Sequence, residues 1–144
     1  MVRAPGEPRT NLFRPRHRLR HRLEFDAVYA ARMVAKQGPL TIFGLPTARP
    51  EARLGLSVGR RVGNAIARNA AKRRIREAFR VSRPAFERAD AALDIVVVVL
   101  PHEPLEGDAY RRLLEFAATR IWKQVDRQRR DTPSNPSPTP REEP

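Results

Sequence analysis

The sequence predicts an α/β (α+β) two-layer sandwich in which one central β-sheet is packed with helices. Three observations carry this. ALDIVVVVLP, residues 92–101, is apolar on both faces, as a strand covered above and below must be. RLGLSVGRR, residues 53–61, alternates Leu54, Leu56 and Val58 with Arg53, Gly55 and Ser57, the pattern of a half-buried strand. Three further segments repeat apolar residues at helical spacing. A chain of 144 residues is long enough for one domain with a true core, and hardly for two.

Taken in order, residues 1–16 carry Pro5, Pro8 and Pro15 among arginines and read as a flexible basic arm. RLEFDAVYAAR, about 22–32, is the first helical pattern, with Leu23, Ala27 and Ala30 on one stripe. Phe25 and Tyr29 lie roughly opposite that stripe at 100° per residue. Such a helix is either buried on two sides or turns its aromatic pair toward something other than core. GPLTIFGLP, residues 38–46, reads as a strand with Leu40 and Ile42 on one side and Thr41 and Phe43 on the other. The short polar link PTARPEA predicts that this strand and 53–61 are antiparallel neighbours. Gly63-Asn64 is turn chemistry, and Asn64 is placed to cap a helix over about 65–80, which Pro84 ends. Tyr110, Leu113, Leu114, Ala117, Ile121 and Val125 mark a last helix over about 109–128. The order is helix, strand, strand, helix, strand, helix, with room for one more short strand. RRDTPSNPSPTPREEP has five prolines and no apolar pattern, so 129–144 is expected to be a disordered tail after a domain spanning 17–128.

The chain has no cysteine, which excludes disulfide frameworks, thiolate metal sites and thiol catalysis. No segment approaches the roughly 20 apolar residues that cross a bilayer. The first residues carry charge without an apolar stretch, unlike a secretory signal, so a cytoplasmic protein without a membrane partner is expected. Net charge is +13 and lopsided. Residues 1–80 hold 19 basic and 5 acidic side chains, residues 81–144 hold 10 and 11. All the excess is therefore in the first part, which points to a polyanionic partner. Only Lys36, Lys72 and Lys123 among the basic residues are lysines. Arginine's planar fork suits phosphate and base stacking, although GC-rich coding alone would also favour it.

Catalytic groups are scarce. His17, His21 and His102 stand beside arginines or prolines with no metal-ligand spacing, and read as incidental. Ser57 and Ser82 lie in no nucleophile turn, and Glu103, Glu106 and Asp108 read as a solvated loop. No catalytic or metal-ligating residue is expected in the protein. Binding is better supported. In the helix over 65–80, Ala71, Ile75, Ala78 and Phe79 share an arc of about 100° suited to a core. Asn69, Lys72, Arg73, Arg76 and Arg80 share a separate one, so the cations form a face and not a ring. Phe25, Tyr29 and Phe43 are candidates for base stacking, though such a residue taken singly is more often core.

RLGLSVGRRVGNAIARNAAKRRIREAFR, residues 53–80, resembles the signature of the bacterial ribonuclease P protein subunit: a strand with a basic pair, Gly-Asn-Ala, then an Arg-Asn helix rich in Lys-Arg. RLRHRLEFDAVY at 18–29 and DIVVVVLP at 94–101 extend the likeness over about residues 12–125. The resemblance implies an α-β sandwich with a left-handed β-α-β crossover containing the signature helix. It also implies a protein that assists a catalytic RNA in cutting the 5′ leader from precursor tRNA. The chemistry belongs to the RNA and to Mg2+ held mainly by it, and no obligate protein partner is implied. Arg68, Asn69, Lys72, Arg73 and Arg76 match the helix that faces the catalytic RNA. Phe25, Tyr29, Phe43, Arg60 and Arg61 match positions that bind the leader. One departure is clear: Ala70 stands where the motif has its second arginine, followed by Ala71 where a larger aliphatic residue is common. Arg74 lies about 40° further round the helix from Ala70. The rival reading is a ribosomal or other structured-RNA-binding protein with no processing role.

Overall fold

The computed structural model describes residues 13–131. Its elements are α1 (Arg22–Ala30), β1 (Met33–Gln37), β2 (Leu40–Thr47), β3 (Arg53–Val58), α2 (Ala65–Ser82), β4 (Ala92–Val99) and α3 (Ala109–Asp131), with 3-10 turns at Pro15–His17, Arg60–Val62 and Arg83–Phe86. The strands form one mixed sheet in the order β1-β2-β4-β3. β1 and β2 make an antiparallel hairpin through Gly38-Pro39, where Gly38 adopts φ 59°. β2 is antiparallel to β4, and β3 runs parallel to β4 with α2 as the crossover between them.

The expected pairing of the 38–46 and 53–61 strands is therefore wrong: β4 lies between them, pairing Phe43 with Val96 and Leu54 with Ile95. The reason is burial. β4 is the one strand apolar on both faces, so it takes the centre, and the link at 48–52 passes from one of its neighbours to the other. The additional short strand is β1, an edge strand. Its exposed side is closed by Gln124 of α3, whose amide accepts from Val34 N–H at 3.0 Å and donates to Val34 C=O at 2.7 Å.

One sheet face carries Leu40, Ile42, Leu54, Leu93, Ile95 and Val97 into the main core with α2 and α3. The other carries Val96, Phe43 and Leu45 against Leu19 and the Phe25, Val28 and Tyr29 side of α1. α1 thus lies with its aromatic pair toward the sheet and its Leu23, Ala27 and Ala30 stripe outward; Leu23 is 80% exposed. The larger apolar side won. Gly55 admits it, since a Cβ there would lie 2.6 Å from Cζ of Phe25.

Polar groups fix α1 as well. Glu24 accepts the N–H groups of Arg20 at 2.8 Å and His21 at 3.1 Å, capping the helix start, and also accepts from Arg53 at 3.0 Å. Arg53 in turn makes a two-pronged pair with Asp94 at 3.0 and 2.7 Å, although Asp94 is only 4% exposed. At the other end of the chain, α3 continues to Asp131, three residues into the expected tail; the rest of that tail, and residues 1–12 of the arm, lie outside the described residues. Residues 13–16 of the arm belong to the fold, with a turn that begins at Pro15.

The two backbone N–H groups, with Arg53, hold the Glu24 carboxyl at a pKa of about 2. Its stabilisation is present above its unfolded value of 4.5 and lost as pH falls toward about 2. Glu24→Gln should therefore cost about 1–2 kcal/mol at neutral pH in urea denaturation, with the difference from the native chain closing near the lower pH.

Candidate nucleic-acid interface

α2 starts where Asn64 accepts the N–H of Ala67 at 2.9 Å, and its first turns are rich in alanine, the best helix former. Ile75, Ala78, Phe79 and Ser82 are buried. Ala71, expected beside them, is half-buried. Because these residues face the sheet, the helix presents Asn69 and Arg73 to solvent and leaves Arg68, Lys72 and Arg76 half-buried along its flanks. Arg80, expected in the same row, is engaged by Glu77 at 3.1 and 3.2 Å. No carboxylate among the described residues pairs with Arg68, Lys72, Arg73, Arg74 or Arg76. The Nε of Arg68 is buried without a hydrogen-bond partner among them.

A further cation comes from elsewhere in the chain. Burial and the neighbouring Arg18 both push the Arg76 guanidinium below its ordinary pKa. Arg18 is held there by its own segment: Leu19 N–H donates to Leu54 C=O at 2.9 Å, and the Arg18 guanidinium lies 5.4 Å from the centre of the Phe13 ring. Phe13 packs edge-on against Phe79 of α2 at 6.0 Å. Behind them His17 is completely buried, so it is not incidental. Its Nδ1 accepts the N–H of Arg14 at 2.9 Å, and its Nε2 lies between Glu51 at 3.1 Å and Arg83 Nη1 at 2.5 Å. The buried Arg83 guanidinium abuts the ring.

The aromatic candidates lie across the sheet from α2. Tyr29 and Phe43 meet edge to face at 4.9 Å, Phe25 covers Gly55, and all three are half-buried. They form a small second core with one flank open, where Thr41, Ser57 and Val98 continue the surface. Arg60 and Arg61 are exposed in the turn after β3, where the chain passes from the sheet into α2. The two groups of candidate residues thus occupy opposite faces of one sheet, with the basic pair at the passage between them.

The family model described as Ribonuclease P matches residues 13–126. The chain belongs to the ribonuclease P protein family. It is 39% identical over 87 residues to the ribonuclease P protein component of Desulfovibrio desulfuricans, covering 59% of this chain and 65% of that one. It is 42% identical over 69 residues to the component of Symbiobacterium thermophilum, covering 47% and 60%. The chain thus spans under two thirds of the length of these relatives. Its fold is similar to that of the Staphylococcus aureus RNase P protein, with TM-score 0.52 and 22% identity over 80% of this chain and 94% of that one. The Thermotoga maritima RNase P protein gives 0.51 and 24%, over 78% and 96%.

Within this ribonuclease P protein fold several of the other polar residues have structural partners. His102 donates from Nδ1 to Leu100 C=O at 2.8 Å and accepts the Tyr110 hydroxyl at Nε2, 2.6 Å away. His21 caps α1. Glu103, Glu106 and Asp108 are exposed, and Asp108 pairs with Arg111 at 3.2 Å. Among the described residues no three acidic or histidine side chains are close enough together to share a metal ion.

Desolvation, then Arg83, push His17 below its ordinary 6.5. A histidine neutral in the fold and free to protonate when unfolded costs stability as pH falls below about 6.5, and contributes nothing above it. An NMR titration should therefore place His17 below 6.5, and unfolding free energy should decline from about pH 7 to pH 5. A flat profile, or an unshifted histidine, contradicts the burial of this anchor.

Proposed function

We propose that the chain is the protein subunit of a bacterial ribonuclease P, acting in the cytoplasm on precursor tRNA. The observation that carries the proposal is the set of unpaired cations on one flank of α2, joined by Arg18. Arg18 and Arg76 stand together, Arg76 half-buried, and among the described residues no acid pairs with either. Such crowding is unfavourable in the free protein and is relieved when a phosphate enters. Each phosphate neutralised also releases condensed counterions, so affinity rises with every well-placed cation. Arg68, Asn69, Lys72, Arg73 and Arg76 on a rigid helix suit the folded backbone of the catalytic RNA.

The opposite face suits a single strand. The open flank of Tyr29 and Phe43, with Phe25 beside it, offers rings to unpaired bases of the 5′ leader, each stack contributing about 1–3 kcal/mol. Arg60 and Arg61 would meet its phosphates. In this reading the RNA and the Mg2+ it holds supply the chemistry of endonucleolytic cleavage. The protein orients and retains the substrate, which lends binding energy to positioning.

Purified chain added to a bacterial ribonuclease P RNA transcript should stimulate leader removal most strongly at low magnesium. The Lys72→Ala/Arg73→Ala/Arg76→Ala chain should lose most of that stimulation and flatten the salt dependence of RNA binding by up to about one unit per lost contact. Cleavage unaffected by the native chain at every magnesium concentration rules the proposal out.

Tyr29→Leu and Phe43→Leu should weaken binding of leader-bearing tRNA by roughly fivefold or more, within the stacking range above, while mature tRNA is little affected. Equal losses for both substrates would assign the rings to the second core alone.

A further inference from the structure

On the side of α2 that faces the segment after β4 there is a cavity of about 140 Å³. Its floor is Ala67, Ala70 and Ala71, its far wall His102 and Tyr110, and Arg74 stands at its rim. The three alanines lie at i, i+3 and i+4, so they form one stripe, and Arg74 at i+7 completes it. Any longer side chain at 70 or 71 would occupy this space. The walls are internally satisfied, because His102 and Tyr110 hydrogen-bond to each other and His102 also to Leu100 C=O. They therefore offer ring surface and not unmet polar groups. The volume is close to that of the roughly 150 Å³ apolar cavity that takes up benzene, room for one planar ring.

Charge selects the kind of ring. No carboxylate lines the cavity, and among the described residues Arg74 has no acidic partner. Three carboxylates line the adjoining groove with Arg73, Arg74 and Arg76: Glu77 and Asp108 are paired to Arg80 and Arg111, and Glu106 is exposed and lines the groove but not the cavity. A flat, uncharged ring attached to an anion is what such a site accepts. We propose that this cavity receives a single unpaired base of the RNA bound along α2, with Arg74 on that nucleotide's phosphate. The inference rests on the function proposed above. It makes the alanine at position 70 a pocket floor in place of a phosphate contact.

The test uses the full chain and adenosine monophosphate as the probe, with inorganic phosphate as control. In the native chain the methyl NMR signals of Ala67, Ala70 and Ala71 should shift with the nucleotide, and Ala70→Leu, which fills the space, should abolish the shift. No shift, or an equal shift with phosphate alone, overturns the pocket, and this holds for the native chain whether or not the variant folds. With the RNA transcript, Ala70→Leu should weaken binding about tenfold, the effect of one lost stack, at an unchanged salt slope because no cation is removed. Unchanged affinity for Ala70→Leu, beside weakened binding by the Lys72→Ala/Arg73→Ala/Arg76→Ala chain, refutes the pocket and leaves the basic face standing. If both variants bind like the native chain, it is the proposed function that fails.

Discussion

Ile75 and Phe79 of α2 have no exposed surface, and Ala78 and Ser82 beside them have almost none. Burying large apolar side chains at about 1.5–3 kcal/mol each fixes the rotation of the helix about its axis. With the rotation fixed, every cation at another angle has nowhere to go but solvent or the helix flanks. The like-charge repulsion among them is borne by a core on the far side of the same helix. Packing of one face thus determines the electrostatics of the other.

The sheet extends that arrangement. β4, buried on both sides, separates a main core under α2 and α3 from a smaller one under α1. The smaller core needs polar help, supplied by Glu24, Arg53 and Asp94 in a chain of charge-assisted hydrogen bonds. Because α1 covers only part of its face, aromatic rings that anchor it also keep an open flank. One fold therefore carries a basic surface and a partly open aromatic surface on opposite faces of the sheet, with Arg60 and Arg61 where the chain passes between them.

Local features were legible in the amino-acid pattern. Asn64 as cap, the apolar arc of α2 and the two-sided burial of β4 follow from residue type and period alone. What could not be read depends on partners distant in sequence. β1 is five residues closed by a glutamine ninety residues away, and the place of β4 between β2 and β3 is a choice among pairings that turn chemistry does not make. Arg18 is brought to Arg76 by contacts of its segment with residues far along the chain, Leu19 with Leu54 and His17 with Glu51 and Arg83. Arg80 was a different kind of miss. Its partner Glu77 stands at i−3, a spacing at which helical ion pairs form, so periodicity alone overstated the row. Packing arguments leave the role of Phe25, Tyr29 and Phe43 ambiguous, and only the family resemblance offers them as substrate contacts.

In the function proposed above, the outward side of α2 lies on the catalytic RNA. The chain has no cysteine, so a single introduced one is a unique attachment point. Ile66 on α2 and Phe116 on α3 are 79% and 63% exposed and carry no charge. Ile66→Cys and Phe116→Cys, each bearing a tethered iron chelate that generates hydroxyl radicals, can be bound to a bacterial ribonuclease P RNA transcript. Discrete strand scission from position 66, with little from position 116, is the expected result. Scission concentrated at 116 would place the RNA on the wrong helix and contradict the account.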